Sequence, residues 1–182
     1  MYMQKIEFFI GSPRKKGNTS VMAKTLESFL DQDKFSFDYT YLYDKDIKAC
    51  TDCRGCKRGE LSCIVNDDMQ EIYAQIDAAD ILVFGTPIYW FTPSAKMKGL
   101  LDRLRPYYGG DKLKCKKMAI LLPAGVGARD CDLTTEMFQR MSRSLKMEFV
   151  GVVTAEAYDI GEVIKNEQTM QNIKNLALTL NG

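Results

Sequence analysis

Apolar positions along this chain alternate between two spacings. Residues 5–10 are a short, mostly apolar run that reads as a buried strand. The next apolar set, Met22, Leu26, Phe29 and Leu30, recurs at the three-to-four spacing of one helical face, with Asn18 as N-cap and an end near residues 31–34. Phe35, Phe37, Tyr39 and Tyr41 then alternate strictly with Ser36, Asp38, Thr40 and Leu42, the period of a strand covered mainly on one face, which belongs at a sheet edge. Residues 81–84 are a continuous apolar run, as expected of a central parallel strand buried on both faces, and residues 117–123 and 147–154 supply a fourth and a fifth strand. Helical stripes separate them: Met69, Ile72, Tyr73 and Ile76 behind a capping box at Asp67 and Gln70; Met97, Leu100, Leu101 and Leu104 behind Thr92 as cap and Pro93 at N1; Leu133, Met137, Met141 and Leu145; and Met170, Ile173, Ala177 and Leu180. The methionines on these faces read as core filler.

Strands alternating with helices argue an α/β three-layer sandwich, a parallel sheet with helices on both faces. Five strands with the amphipathic one at an edge suit the order 2-1-3-4-5, whose ligand crevice lies outside the carboxyl ends of strands one and three. Residues 1–182 then form one domain, with a cysteine-rich insertion at about 44–66.

Three loops leave the relevant strand ends. The first, residues 11–20 (GSPRKKGNTS), joins a strand to a helix start, where backbone N–H groups and the positive end of the helix dipole converge on an anion. Ser12, Asn18, Thr19 and Ser20 add donors, Arg14 and Lys16 add charge, and Gly17 serves the turn. Five residues rather than four separate Gly11 from Gly17, and no lysine follows, so this is not a Walker A; nor is it G-x-G-x-x-G. One terminal phosphate fits better than a pyrophosphate, while a turn that binds nothing is the plainer alternative. The second loop, GTPIYWFTP from residue 85, places Ile88, Tyr89, Trp90 and Phe91 where a surface normally carries polar groups. It has a flat ring or a partner chain to cover, and Thr86 and Pro87 hold its backbone N–H groups for the polar edge of a ring. The third loop, residues 123–130, contains Ala124, Gly125 and Gly127. Together they describe a site for a mononucleotide with a flat ring.

Charge and composition narrow the class. Lys and Arg number 25 against 24 Asp and Glu, so no electrostatic footprint of nucleic-acid or membrane-surface binding exists. The first apolar run is too short for a signal peptide and no stretch approaches a membrane span, which places the expectation in the cytoplasm. There, six cysteines do not read as a disulfide framework. The chain has no histidine, which removes Ser-His-Asp and Cys-His catalysis and His-ligated zinc hydrolysis.

The pair of motifs GSPRKKGNTS and ADILVFGTPIYWFTPSAKMKGLLDR resembles the flavodoxin-like NAD(P)H-dependent FMN reductase family, over most of the chain. The resemblance implies FMN, its phosphate on the first loop through Ser12, Arg14, Asn18, Thr19 and Ser20. It implies that residues 87–91 line the isoalloxazine and that residues 124–127 close the other side. NAD(P)H would be the cosubstrate, and a small molecule or a protein the electron acceptor.

Cys50, Cys53, Cys56 and Cys63 give C-x2-C-x2-C-x6-C, four soft ligands within one compact loop. Tetrathiolate sites suit iron–sulfur clusters or zinc, and spacing alone leaves both open, along with no metal. The segment is similar to the cysteine motif of the iron–sulfur flavoprotein branch of the same family, which implies a [4Fe–4S] cluster exchanging single electrons with the flavin. Cys115 and Cys131 read as structural or incidental. The expectation is thus an FMN-dependent oxidoreductase with no catalytic side chain of its own, and a homodimer or homotetramer because the aromatic tip is hard to leave in water. A flavodoxin-type electron carrier and a cluster-free FMN reductase are the alternatives; near-neutral charge counts against the carrier.

Overall fold

A computed structural model describes residues 3–58 and 62–182. Residues 59–61, part of the expected cysteine-rich insertion, lie outside the described residues. Five strands, β1 (Gln4–Ile10), β2 (Phe35–Tyr41), β3 (Ile81–Gly85), β6 (Lys117–Ala124) and β7 (Glu148–Glu156), pair all-parallel in the order β2-β1-β3-β6-β7. With the two short strands β4 (Ile88–Tyr89) and β5 (Thr92–Pro93) set aside as a separate hairpin, this is the expected 2-1-3-4-5 flavodoxin-like order, with the aromatic strand at the edge.

Two cores flank the sheet. On one face, Ile6, Phe8 and Ile10 of β1 pack under α1 (Asn18–Phe29) and α5 (Glu167–Asn181). Here the alternation in β2 acts as foreseen: Tyr39 stacks on Phe8 at 4.6 Å between ring centroids. On the other face, Phe9, Leu82, Phe84 and Ile120 pack under α2 (Met69–Ala78), α3 (Ala95–Asp102) and α4 (Asp132–Ser144). Among the described residues no helix is long and apolar enough to cross a membrane.

Four local expectations are corrected. Helix α1 is capped by Gly17, with no side-chain cap bond, and Asn18 is its first residue; Phe29 from its expected stripe is 40% exposed. Thr92 and Pro93 do not start α3, because they pair antiparallel with Tyr89 and Ile88; Ser94 caps the helix, its Oγ accepting from Met97 N. The capping box before α2 is not closed: Asp67 accepts from Met69 N, but Gln70 turns away and donates to the carbonyls of Cys63 and Val65. The expected stripe of α4 is met in part: Leu145 is buried and Met137 and Met141 pack against the core, but Leu133 is 61% exposed. Thr134, Phe138 and Ser142 are the fully inward positions of the helix, Phe138 meeting Phe84 at 5.4 Å, and Leu133, Met137 and Met141 also border an open cleft of about 870 Å³ between α3 and α4.

Candidate functional site

Backbone contacts bring the first two loops together. Gly11 N donates to Gly85 O at 2.7 Å, and Ser94 Oγ donates to Gly11 O at 2.5 Å, tying the end of β1 to the end of β3 and to the start of α3. Two glycines permit the approach. A Cβ on Gly11 would lie 2.8 Å from Met97 Cβ, and one on Gly85 would lie 2.9 Å from Thr19 Cγ2. Thr86 is buried between the loops, accepting from Ser94 N and donating to the Pro87 carbonyl.

The first loop is built for an anion. Gly17 offers no side-chain acceptor to the first turn of α1, and that turn holds no acidic residue, so its amide protons and dipole are left for a ligand. Ser12, Thr19 and Ser20 are 6%, 1% and 4% exposed. Ser12 Oγ accepts from Arg14 N at 3.2 Å, which leaves its proton for another acceptor, and Ser20 Oγ is buried without a hydrogen-bond partner among the described residues. A buried hydroxyl lacking a partner costs stability unless a ligand supplies one. Asn18 is used differently from expectation. Its Nδ2 donates to the carbonyls of Asp159 and Ala157, and its Oδ1 accepts from Val163 N, so it fastens the segment after β7 to the start of α1.

A crevice of about 270 Å³ joins the strand ends. Ser12, Arg14, Gly17, Asn18 and Thr19 line it from the first loop, Pro87, Ile88 and Tyr89 from the second, and Ala124 and Gly125 from the third. Ser20, Thr86, Trp90, Phe91 and Gly127 do not line it. Trp90 is 91% exposed at the tip of the β4–β5 hairpin, where Trp90 and Phe91 both adopt positive φ, 50° and 65°. That turn normally takes Asn-Gly, and bulky residues there cost of order 1–3 kcal/mol each. Thr134 Oγ1 donates to the Phe91 carbonyl and pins the tip to α4. Gly127, at φ 81°, turns the third loop against Glu156.

The sequence reading missed one wall. Ala157, Tyr158 and Ile160, from the loop after β7, also line the crevice. Tyr158 is 82% exposed, and a Cβ on Gly125 would lie 3.3 Å from its ring. An exposed aromatic just past the carboxyl end of the last strand, ahead of Gly161 at φ 74°, was the available signal.

All six cysteines are free thiols; Cys131 is buried, and Cys115 is exposed at φ 68°, so only Cys131 behaves as a small core residue. Cys50, Cys53, Cys56 and Cys63 all line one small cavity of about 20 Å³. Among the described residues no three ligating side chains already converge on an ion, and the cavity is about the size of one water. The donor set nevertheless suits a soft metal, and Cys50 and Cys53 are exposed, so a larger occupant displaces loop rather than core. The base of the loop is clasped by Asp67 and Asp68, which accept from the backbone N–H groups of Lys48 and Asp46. Asp67 also meets Arg103 through two hydrogen bonds; burial pushes its carboxyl up, but the Arg103 contacts prevail and hold it below the usual range.

A family model described as NADPH-dependent FMN reductase matches residues 4–158. An iron–sulfur flavoprotein of Archaeoglobus fulgidus is 34% identical over 139 residues, 75% of this chain but only 60% of that protein's length. YwqN of Bacillus subtilis, named as an NAD(P)H-dependent FMN-containing oxidoreductase, is 28% identical over 94% of this chain and 96% of its own length. Among solved structures, an NAD(P)H:quinone oxidoreductase from Methanothermobacter marburgensis shares the fold with a TM-score of 0.72 at 19% identity, covering 100% of this chain and 98% of that one.

Proposed function

The chain belongs to the NADPH-dependent FMN reductase family, and from that premise we propose that it is a cytoplasmic oxidoreductase that binds FMN and passes electrons from NAD(P)H to a small-molecule or protein acceptor. One observation supports the reading above others: the loops after four parallel strands meet in a single crevice, lined by buried hydroxyls at an acid-free helix start and by Tyr89 and Tyr158. FMN supplies the hydride-accepting ring and the onward electrons. The protein's own residues bind and orient. Ser12 and Thr19 would donate to the terminal phosphate, Arg14 would balance its charge, and Gly17 lets the helix start stand close. Pro87, Ile88 and Tyr89 wall the ring on one side, Ala124, Gly125 and Tyr158 on the other, and both exclude water from its faces. Thr86 and Gly127 hold the loops in place, Asn18 braces the Tyr158 segment, and no side chain is required as acid or base.

The purified protein should carry FMN and oxidise NAD(P)H continuously with an added quinone or azo acceptor. A flavodoxin-type carrier, which the exposed Trp90–Phe91 tip would suit as a docking point, would bind FMN and show almost no turnover. The same tip supports association as a homodimer or homotetramer, which sedimentation would separate from the 20.7 kDa chain.

The finer reading is that Cys50, Cys53, Cys56 and Cys63 hold a [4Fe–4S] cluster. It would supply single-electron exchange with the flavin. The shared cavity, the tetrathiol donor set and the similarity to the Archaeoglobus protein support it. Anaerobically prepared protein should then contain about four irons and four sulfides per chain, and Cys56→Ser should lose most of the iron. If reconstituted protein takes up zinc or no metal, and Cys56→Ser oxidises NAD(P)H as fast as the parent, a cluster-free FMN reductase remains.

A further inference from the structure

We propose that Arg103 is the positioning residue of the sulfur site, fixing the cysteine loop to the domain and setting a buried positive charge and hydrogen-bond donor against the thiolates. The inference rests on the reading that the four cysteines hold a metal. Arg103 is among the largest fully buried side chains of the protein, 2% exposed, just beyond the end of α3. Its Nη1 donates to Lys48 O at 2.8 Å and to Asp67 Oδ2 at 2.6 Å; its Nη2 donates to Asp67 Oδ1 at 3.1 Å and to Cys63 Sγ at 3.4 Å. The guanidinium therefore grips both strands of the insertion, before Cys50 and after Cys63. Its own backbone is held by Tyr73, whose hydroxyl donates to Arg103 O at 2.6 Å, and Tyr107 donates in turn to the Tyr73 carbonyl.

A buried arginine is costly, and a bidentate aspartate offsets that cost only if the remaining donors are also satisfied. Here they are not. Arg103 Nε is buried with no partner among the described residues, and one Nη2 bond goes to the Cys63 sulfur, a weak acceptor in a thiol. The weak bond becomes a charge-assisted one once the sulfur is a metal-bound anion. A divalent core held by four thiolates carries a net charge of about −2, whether the core is zinc or an oxidised cubane. The cavity that the cysteines line is also lined by Arg54, Arg103 and Arg105 against Asp52 alone among acids. Arg54 and Arg105 are exposed to solvent screening and both approach Asp52, which leaves Arg103, paired with the buried Asp67, as the cation that water does not reach. Outer partners of this type orient ligands and tune the metal they hold.

The test uses full-length protein reconstituted anaerobically with ferrous iron and sulfide, comparing the parent with Arg103→Met and Arg103→Lys, and bound FMN reports folding. Two quantities are read: iron retained against a chelator, and the reduction potential of the loaded iron site. Arg103→Met should weaken retention about 10- to 100-fold, the usual effect of losing an outer partner. The fraction that remains loaded should have a more negative potential, because a hydrogen bond and a positive charge beside sulfur favour the reduced state. Arg103→Lys keeps the charge without the fork and should fall between parent and Met on both. A merely structural arginine would lower occupancy without moving the potential, and that result overturns the proposal. Should Arg103→Met bind no FMN, Arg103→Lys decides alone: a potential equal to the parent's overturns it. A parent that takes up no iron sinks the metal reading and this inference with it; a loaded parent with an indifferent Arg103→Met sinks this inference only.

Discussion

Replacing Ser12 and Thr19 together by alanine should weaken FMN binding by about 3–6 kcal/mol, two to four orders of magnitude in affinity. Each hydroxyl is a donor to a charged acceptor, and such bonds contribute roughly 1.5–3 kcal/mol apiece. Both side chains are buried, so water does not take their place when they are removed. The fold should survive: Ser12 Oγ makes only a local bond to Arg14 N, and Thr19→Ala would forgo the methyl contact beside Gly85 without creating a clash. Titrating flavin-free protein with FMN and, separately, with riboflavin checks the assignment, since riboflavin lacks the phosphate. FMN affinity should collapse in the double variant while riboflavin affinity stays within a few-fold. An unchanged FMN affinity, or an equal loss for both ligands, would put the phosphate elsewhere.

The sheet order and the three loops of that site were readable because each rests on local signals: continuous apolar runs for β3 and β6, strict alternation for β2, and glycines with hydroxyls at one strand end. What escaped the sequence depends on partners distant along the chain. Asn18 resembles a cap until residues 157–163 arrive beside it, 139 or more positions later, and take both ends of its amide. In helix α4 the inward face is centred on Phe138, between the hydroxyl residues Thr134 and Ser142, and only the position of Phe84 marks it, so Leu133 of the aliphatic stripe is left exposed. The Thr92–Pro93 pair satisfies the rules for a helix start equally well as those for a short edge strand, and the aromatic tip settles it by pairing Tyr89 with Thr92. In the cysteine loop the spacing named the four thiols, but Arg103 stands 40 residues from Cys63 and has no local mark. Glu7 was likewise hidden, one polar letter inside an apolar strand.

Glu7 lies on β1 with its side chain fully buried beneath α2, and its environment makes a second large effect measurable. Burial pushes its carboxyl from an ordinary 4.5 to about 7; the Thr40 hydrogen bond pulls the other way, while Asp38 and Glu71 add to the rise and Lys5 opposes it. Thr40 Oγ1 sits 2.8 Å from Glu7 Oε1 and 3.1 Å from Gln75 Oε1, and a single hydroxyl proton cannot serve two acceptors. With Glu7 ionised, Thr40 donates to Oε1 and Gln75 Oε1 goes without that proton; with Glu7 protonated, the acid proton passes to Thr40 Oγ1, Thr40 donates to Gln75, and Glu7 Oε2, buried without a partner among the described residues, is a neutral carbonyl rather than a bare anion. Between pH 4.5 and 7 the folded protein therefore keeps a proton that the unfolded chain has released. The stabilisation is complete below that window and is lost as pH rises through it, by about 3 kcal/mol at roughly 1.4 kcal/mol per pKa unit. Glu7→Gln, neutral at every pH, should lack this loss and be the more stable protein above pH 7. The chain has no histidine, so few other side chains titrate in the same range, and the difference between the two proteins removes those that do. Urea midpoints at pH 5 and pH 8 measure it: the stability of the parent relative to Glu7→Gln should fall between the two, and a constant difference would mean that Glu7 ionises normally in the fold.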